Sequence, residues 1–274
     1  EENAQAARRA IFEATSTTPT LQDDLRVLLT PESPCALVCR GVTDVRREPR
    51  NLAERVSQAL FGEAVRVLQT SEPPNQWAWV RLESDGYMGW VHQKALAPCS
   101  ADHAAAYQAA CNALVVAELA RVHEGSPGET CLSGSKLPGK MPGKLPFGAA
   151  VTVVNGGGAW LEIRLPDGRS AWLQRGDVLW ASERPHQDAA GIQATLALIR
   201  RFAGVPYLWG GRTPFGYDCS GLAQAFYAFL GVSIPRDADQ QFRAGHPVTG
   251  TPQPGDLIFF GEAGARLHQR YAAV

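Results

Sequence analysis

One pattern occurs twice in this chain, and it divides the fold before any single residue is interpreted. It runs Phe-Gly, an apolar strand, a Trp-led strand, Asp-Gly, then Trp. The first copy has Phe61-Gly62, the run 64–68, Trp79-Val-Arg-Leu-Glu83, Asp85-Gly86 and Trp90. The second has Phe147-Gly148, the run 149–154, Trp160-Leu-Glu-Ile-Arg164, Asp167-Gly168 and Trp172. A repeat of this kind means two related units rather than one. Short apolar runs alternate with turn formers such as Pro73-Pro74-Asn75 and Ser84-Asp85-Gly86, which reads as a small β-barrel in each copy. Runs 35–39 and 88–92 add strands to the first copy and 113–117 to the second. Trp77, Trp79 and Trp90 supply large apolar bodies for a small core. The units are expected over 35–100 and 104–182. Residues 126–144, rich in Gly, Pro and Lys, suit an exposed loop.

The flanks differ in character. Residues 1–34 read as an alanine-rich helix, a break at Ser16-Thr17-Thr18-Pro19-Thr20 and a second short helix. Residues 181–191 form a polar linker. The formal net charge of the 274-residue chain is -1, so no overall basic field argues for nucleic acid. No apolar run approaches a membrane span. The chain opens Glu1-Glu2-Asn3 without an initiator Met, which fits a processed or trimmed protein. Six cysteines form no C-x-x-C pair and have no histidine at ligand spacing, so no metal is expected. Cys35, Cys39, Cys99, Cys111 and Cys131 fit either disulfides or core thiols.

The third unit, 188–274, carries the chemistry. Ile192, Thr195, Leu196, Ile199 and Phe202 mark a helix face closed by Gly204. Pro206-Tyr207-Leu208-Trp209-Gly210-Gly211 leads to Asp218-Cys219-Ser220-Gly221. From there Leu222, Phe226, Phe229 and Leu230 recur at helical spacing up to Gly231. Cys219 therefore sits at a helix start, whose unpaired N–H groups favour a thiolate. By position alone it fits a nucleophile or a small buried residue equally. Asp237 and Gln240 have the spacing of a capping box for a helix beginning at 238. Residues 257–260 read as a buried strand.

Tyr207-Leu-Trp-Gly-Gly, Asp218-Cys-Ser-Gly221, Leu-Gly-Val-Ser-Ile-Pro-Arg236-Asp237 and Pro254-Gly-Asp-Leu-Ile-Phe-Phe-Gly261 stand in the order and near the spacing of the NlpC/P60 cysteine peptidases. Any one could arise by chance; four in order are specific. The repeated units resemble bacterial SH3-like domains. Together the chain resembles the γ-D-glutamyl-L-diamino acid endopeptidases that cut peptidoglycan stem peptides. The resemblance implies an α+β multidomain fold, with two small SH3-like β-barrels followed by a papain-like domain. It implies a cysteine nucleophile, a histidine base and no cofactor.

Residue by residue, the resemblance makes Cys219 the nucleophile, His268 the base and Tyr207 a hydrogen-bonding partner at the reaction centre. Asp218 and Ser220 would hold the substrate's free amino end and D-Glu carboxylate, with Asp237 a second carboxylate there. Glu54 and Tyr87 of the first SH3-like unit would line the cleft, and Trp209 sits in its turn. Ala238 departs from the branch, which often has Ser. His246 competes with His268 for the base; His92, His103, His123 and His186 have no motif context. After His268 the chain ends within six residues, so the third unit is expected to be incomplete or degenerate. The implied partner is peptidoglycan or its peptides, met by a monomer that is secreted, periplasmic or in the cell envelope, with a cytoplasmic recycling role open. The competing reading is an inactive peptidoglycan-binding protein.

Overall fold

A computed structural model describes residues 34–71, 76–125 and 143–260, with the backbone of 272–273. The helices expected within 1–33, the loop 126–142, Cys131 and His268 lie outside the described residues.

The first β unit is a seven-stranded antiparallel sheet. Its strands are β1 (Cys35–Val38), β2 (Val42–Arg46), β3 (Arg55–Leu60), β4 (Ala64–Thr70), β5 (Trp77–Leu82), β6 (Met88–His92) and β7 (Leu96–Cys99), in the order β3-β2-β6-β5-β4-β1-β7. The second holds β8 (Ala113–Val115), β9 (Leu119–Arg121), β10 (Lys144–Pro146), β11 (Ala150–Gly157), β12 (Trp160–Arg164), β13 (Ser170–Gln174) and β14 (Val178–Trp180). Its sheet order β13-β12-β11-β8-β14 reproduces β6-β5-β4-β1-β7 strand for strand, with β9 and β10 paired separately. Even the 3-10 turn before the last strand recurs, at Gln93–Ala95 and Arg175–Asp177.

The register corrects one sequence equivalence. Trp79 faces Trp90 and Trp77 faces His92, whereas Glu162 faces Trp172 and Trp160 faces Gln174. Trp160 therefore takes the place of Trp77, not Trp79. The last pair in the first copy is Arg81 with Met88 and in the second Arg164 with Ser170, so the unpaired stretch is one residue longer in the first, and counting from Asp-Gly hides that.

Each unit has its own apolar centre, and the Phe-Gly step ties each to the next. Val38, Val65, Val80 and Val91 are among the residues closing the first core. Phe61 does not join them: it is buried among Val115, Leu145, Val151 and Ile163 of the second. Phe147, its counterpart, leaves the second core in turn and packs on Phe202 and Phe229 of the third. Its ring stacks on Phe229 at 5.2 Å and meets Phe202 edge-on at 4.9 Å. Gly62 and Gly148 follow with φ of 79° and 83°, a turn conformation open to glycine that throws each ring outward.

A helix the sequence reading did not foresee, α1 (Ala101–Ala110), joins the two β units. The Ser100 side chain caps it by accepting the His103 N–H at 3.1 Å, and Ala104 and Tyr107 are its buried residues. The cue was present: a Ser N-cap before an alanine-rich run. Cys35, Cys39, Cys99, Cys111 and Cys219 are free thiols.

The third unit contains α2 (Ala189–Ile199), the short hairpin β15 (Arg212–Thr213) and β16 (Gly216–Tyr217), α3 (Cys219–Phe229), α4 (Ala238–Ala244), and β17 (Phe259–Phe260) paired with β18 (Ala272–Ala273). The strand expected over 257–260 is only two residues long and not buried: Ile258 and Phe260 are exposed. Arg184 closes the C-terminal end of α3 by donating to the carbonyls of Ala228 and Phe229. Gly231 follows at φ 81°.

The Phe147 ring is 1% exposed. Phe147→Ala is expected to cost about 3–5 kcal/mol, the usual range for emptying a buried aromatic site. Urea denaturation should show the loss as a lower midpoint.

Candidate active site

The start of α3 is fixed by one carboxylate. Asp218 is its N-cap, accepting the Gly221 N–H on Oδ1 at 2.7 Å. Its Oδ2 accepts the Gly210 N–H at 2.9 Å. Arg236, only 1% exposed, grips both oxygens: Nη1 to Oδ1 at 3.0 Å and Nη2 to Oδ2 at 2.6 Å. The same guanidinium donates to Ser220 Oγ at 2.8 Å and to Ser57 Oγ on β3 at 3.0 Å. A buried charge needs such partners, and these place Cys219, one residue past the cap, at a fixed point. Two glycines make the approach possible. A Cβ at Gly221 would lie 2.1 Å from the Gly211 carbonyl oxygen, and one at Gly210, whose φ is 73°, would lie 2.7 Å from that of Arg55.

The first β unit forms the opposite wall. Gln58 on β3 accepts the Arg212 N–H at 2.9 Å, and its carbonyl accepts Arg212 Nη1 at 2.7 Å. Glu63 pairs with Arg212 at 3.1 Å. Gln224 of α3 donates to Asp85 at 3.0 Å, and Ser233 donates to the Ser84 carbonyl at 2.8 Å. Ser57 and Gln58 are buried polar residues, so this wall is held by directional bonds as well as by packing.

Between the two walls lies a cleft of about 590 Å³. Cys219, Tyr207, Trp209, Asp218, Ser220, Asp237, Tyr87 and Glu54 all line it. Sequence reasoning had named every one of them. Tyr207 is hydrogen-bonded to Cys219, and partial burial, then the neighbouring Cys219 and Asp218, push its hydroxyl above the ordinary tyrosine range. Tyr87 is hydrogen-bonded to Asp237 across the boundary, and burial raises its pKa strongly. Burial, and then Asp239 and Asp218, raise the Asp237 carboxyl above the ordinary aspartate range; Arg236 and the Tyr87 bond oppose this. Glu54 accepts the Trp209 indole N–H at 2.9 Å and meets Arg47 Nε at 2.7 Å.

One expectation is corrected by these contacts. Asp237 does not cap α4 with its side chain; its carboxyl turns to Tyr87 instead. Asp218 and Ser220 border the cleft, but their polar atoms point inward to Arg236, leaving residues 8% and 5% exposed. Among the described residues no histidine lines the cleft. His92 packs against Trp77, His123 against Trp160, and His246 is exposed.

Sequence reasoning gave no role to Arg236, Arg47, Ser57 or Gln58. Arg236 stood inside a quoted motif, yet nothing local marks an arginine as buried. Ser57 and Gln58 stand between Val56 and Ala59-Leu60 in one strand, which was the available hint.

Comparison with known proteins agrees with this arrangement. Residues 204–270 match the NlpC/P60 family, and residues 45–96 match the SH3 domain of bacterial dipeptidyl-peptidases. The match to an SH3 domain falls within the first β unit, from the end of β2 to the start of β7; the second unit repeats its strand order. A crystal structure of an NlpC/P60 family protein from Bacillus cereus shares the fold, with a TM-score of 0.66 and 21% identity over 82% of each chain. The class is thus a β-rich SH3 module joined to an NlpC/P60 α+β domain. The chain carries an NlpC/P60 domain behind a bacterial SH3 domain.

Among sequence relatives, a γ-D-glutamyl-L-lysine dipeptidyl-peptidase of Bacillus cereus is 36% identical over 36% of this chain and 30% of its own length. Its Bacillus subtilis namesake is 50% identical over 22% of this chain and 20% of its own length. These matches span less than a third of either relative. Dipeptidyl-peptidase 6 of Lysinibacillus sphaericus is 26% identical over 82% of this chain and 81% of its own.

The Arg236–Asp218 pair gives a stability test. Arg236→Met leaves a buried carboxylate without its cation, and a loss of about 3–5 kcal/mol is expected. Adding Asp218→Asn should recover part of that loss, less whatever the altered N-cap costs. Denaturation of the single and double variants measures the coupling.

Proposed function

We propose that the chain is a cysteine peptidase of cell-wall peptides, cutting the γ-D-glutamyl–L-diamino acid bond of stem peptides with a free L-Ala amino end. The observation that carries this reading is the place of two carboxylates beside the candidate nucleophile. Asp237 and Glu54 come from opposite walls of the cleft that holds Cys219. An ammonium buried in such a cleft needs carboxylate partners. An enzyme that removes two residues from a free amino end needs those partners a short, fixed distance from its nucleophile. The relatives named for dipeptidyl-peptidase activity support the same chemistry, and none of the described helices is long and apolar enough to cross a membrane. A peptidoglycan endopeptidase of Mycobacterium tuberculosis, 38% identical over 31% of this chain, supports action in the cell envelope.

In this reading Cys219 Sγ attacks the γ-glutamyl carbonyl carbon. The C–N bond breaks, and the diamino acid leaves as a free amine that takes a proton. Water then attacks the thioester, returning the thiol and releasing the L-Ala-D-Glu dipeptide. By its motif position His268 moves these protons. Tyr207, bonded to Cys219, supplies a hydroxyl where charge develops on the carbonyl oxygen. Tyr87 holds the Asp237 carboxylate toward the amino end, and Trp209 does the same for Glu54.

Incubation with L-Ala-γ-D-Glu-meso-diaminopimelate should release L-Ala-D-Glu, and Cys219→Ala should abolish release. Failure of the unaltered chain to release it, with binding to sacculi retained, would replace the peptidase by a binding protein.

The raised Asp237 pKa has a definite sign. The fold favours the protonated carboxyl, so its contribution to stability is present below the unfolded-state pKa and lost as pH rises through the folded-state pKa. Ammonium binding needs the ionised form and therefore strengthens over the same rise. KM for the free-amino peptide should fall as pH climbs through the Asp237 pKa, and Asp237→Asn should flatten that limb of the profile.

A further inference from the structure

The ligand proposed above carries two opposite charges: an ammonium at its amino end and the free α-carboxylate of a γ-linked glutamate. Asp237 and Glu54 suit the first. The second calls for hydrogen-bond donors, best supplied by a cation. Two guanidinium groups line the cleft, those of Arg47 and Arg236. Arg236 is buried and committed to Asp218, Ser220 and Ser57. The Ser220 hydroxyl faces Arg236, and residue 238, on the same wall, is an alanine with no donor to offer.

Arg47 is differently placed. Its side chain is 65% exposed and meets Glu54 through Nε. A guanidinium carries five N–H donors in a planar fork, so one engaged at Nε keeps its outer edge for a second carboxylate. The backbone prepositions the pair: the Arg47 N–H donates to the Glu54 carbonyl at 3.0 Å, closing the loop between β2 and β3. Arg47 and Glu54 thus stand side by side at the neck of one loop, with opposite charges facing the same cleft.

Resting on the peptidase reading, we infer that Arg47 is a specificity-determining residue that binds the free α-carboxylate of γ-linked glutamate. The Arg47–Glu54 pair then reads both charges of the substrate, and the SH3 domain contributes recognition as well as a wall. A peptide with the carboxylate amidated leaves the Arg47 fork without its anionic partner and binds less well.

The test uses two ligands, L-Ala-γ-D-Glu-meso-diaminopimelate and its analogue with D-isoglutamine in place of D-Glu. Both keep the ammonium. Calorimetric titration of the full Cys219→Ala chain should favour the carboxylate by roughly 10- to 100-fold, the usual worth of a hydrogen bond to a charged group. In Cys219→Ala with Arg47→Ala that ratio should fall to near one, and Arg47→Lys should keep part of it. Arg47 also steadies Glu54, so its loss weakens both ligands; the ratio cancels that shared effect. Equal binding of acid and amide by Cys219→Ala, or selectivity that survives Arg47→Ala, overturns the inference. Dipeptide release without acid-over-amide selectivity overturns it while leaving the peptidase reading in place. No release by the unaltered chain and no binding of either ligand by Cys219→Ala overturns both.

Discussion

The buried contact of Arg236 with Asp218 holds the site together. One guanidinium spans an N-cap carboxylate, a serine beside the nucleophile and a serine of the neighbouring β unit. Removing a charge pair from water is expensive, and the cost is offset only when geometry is good and further hydrogen bonds satisfy what remains. Here the bidentate fork and the N–H groups of Gly210 and Gly221 supply those bonds. The contact therefore specifies more than it stabilises. It fixes where α3 begins, which way the Tyr207–Gly211 turn runs and how closely β3 may approach. Cys219 inherits its position from all three.

That arrangement also explains a division of labour among the carboxylates. Asp218 is neutralised by Arg236 and faces inward, so it serves the scaffold. Asp237 has a neutral Tyr87 hydroxyl as its partner and keeps a charge to offer. Glu54 lies between, with an indole N–H on one oxygen and a guanidinium on the other. These three of the four acids lining the cleft thus differ by their partners, and the partners come from both sides of a boundary between units. A cleft built this way is complete only when the units are docked, which accounts for the polar, directional bonding of Ser57, Gln58 and Arg212 along β3.

What the sequence made legible was local. Cys219 at a helix start, Asp218 before it and Gly231 after it follow from near-neighbour rules, and the structure has α3 where they place it. The cleft residues of the first β unit, Glu54 and Tyr87, were reachable only through family resemblance, because no periodicity links residue 54 to residue 209. Tertiary partners decided the rest. Asp237 has the sequence signature of a cap, yet a hydroxyl from a distant unit competes successfully for its carboxyl. Asp218 and Ser220 look like ligands on paper, but a buried arginine many residues on takes their polar atoms. The Trp160–Trp79 equivalence failed because cross-strand pairing puts Trp160 at the place of Trp77, two residues away and on the same face of the sheet, and only the register reveals that.

The repeated Phe-Gly step suggests why two copies stand before the third unit. In each copy the phenylalanine leaves its own barrel and fills the core of the unit that follows: Phe61 the second, Phe147 the third. A small β-barrel has little interior, so a ring exported to the next core links two small cores through one packed contact. The first copy has an additional task, because its β3 wall and the loop bearing Arg47 and Glu54 reach the cleft. Among the described residues the second copy has none lining that cleft; it presses Phe147 against Phe229 at the far end of the helix that begins with Cys219. One copy thus shapes the mouth of the site while the other braces the helix behind it. Equivalent sequences came to unlike roles because the same knob meets a different neighbour each time.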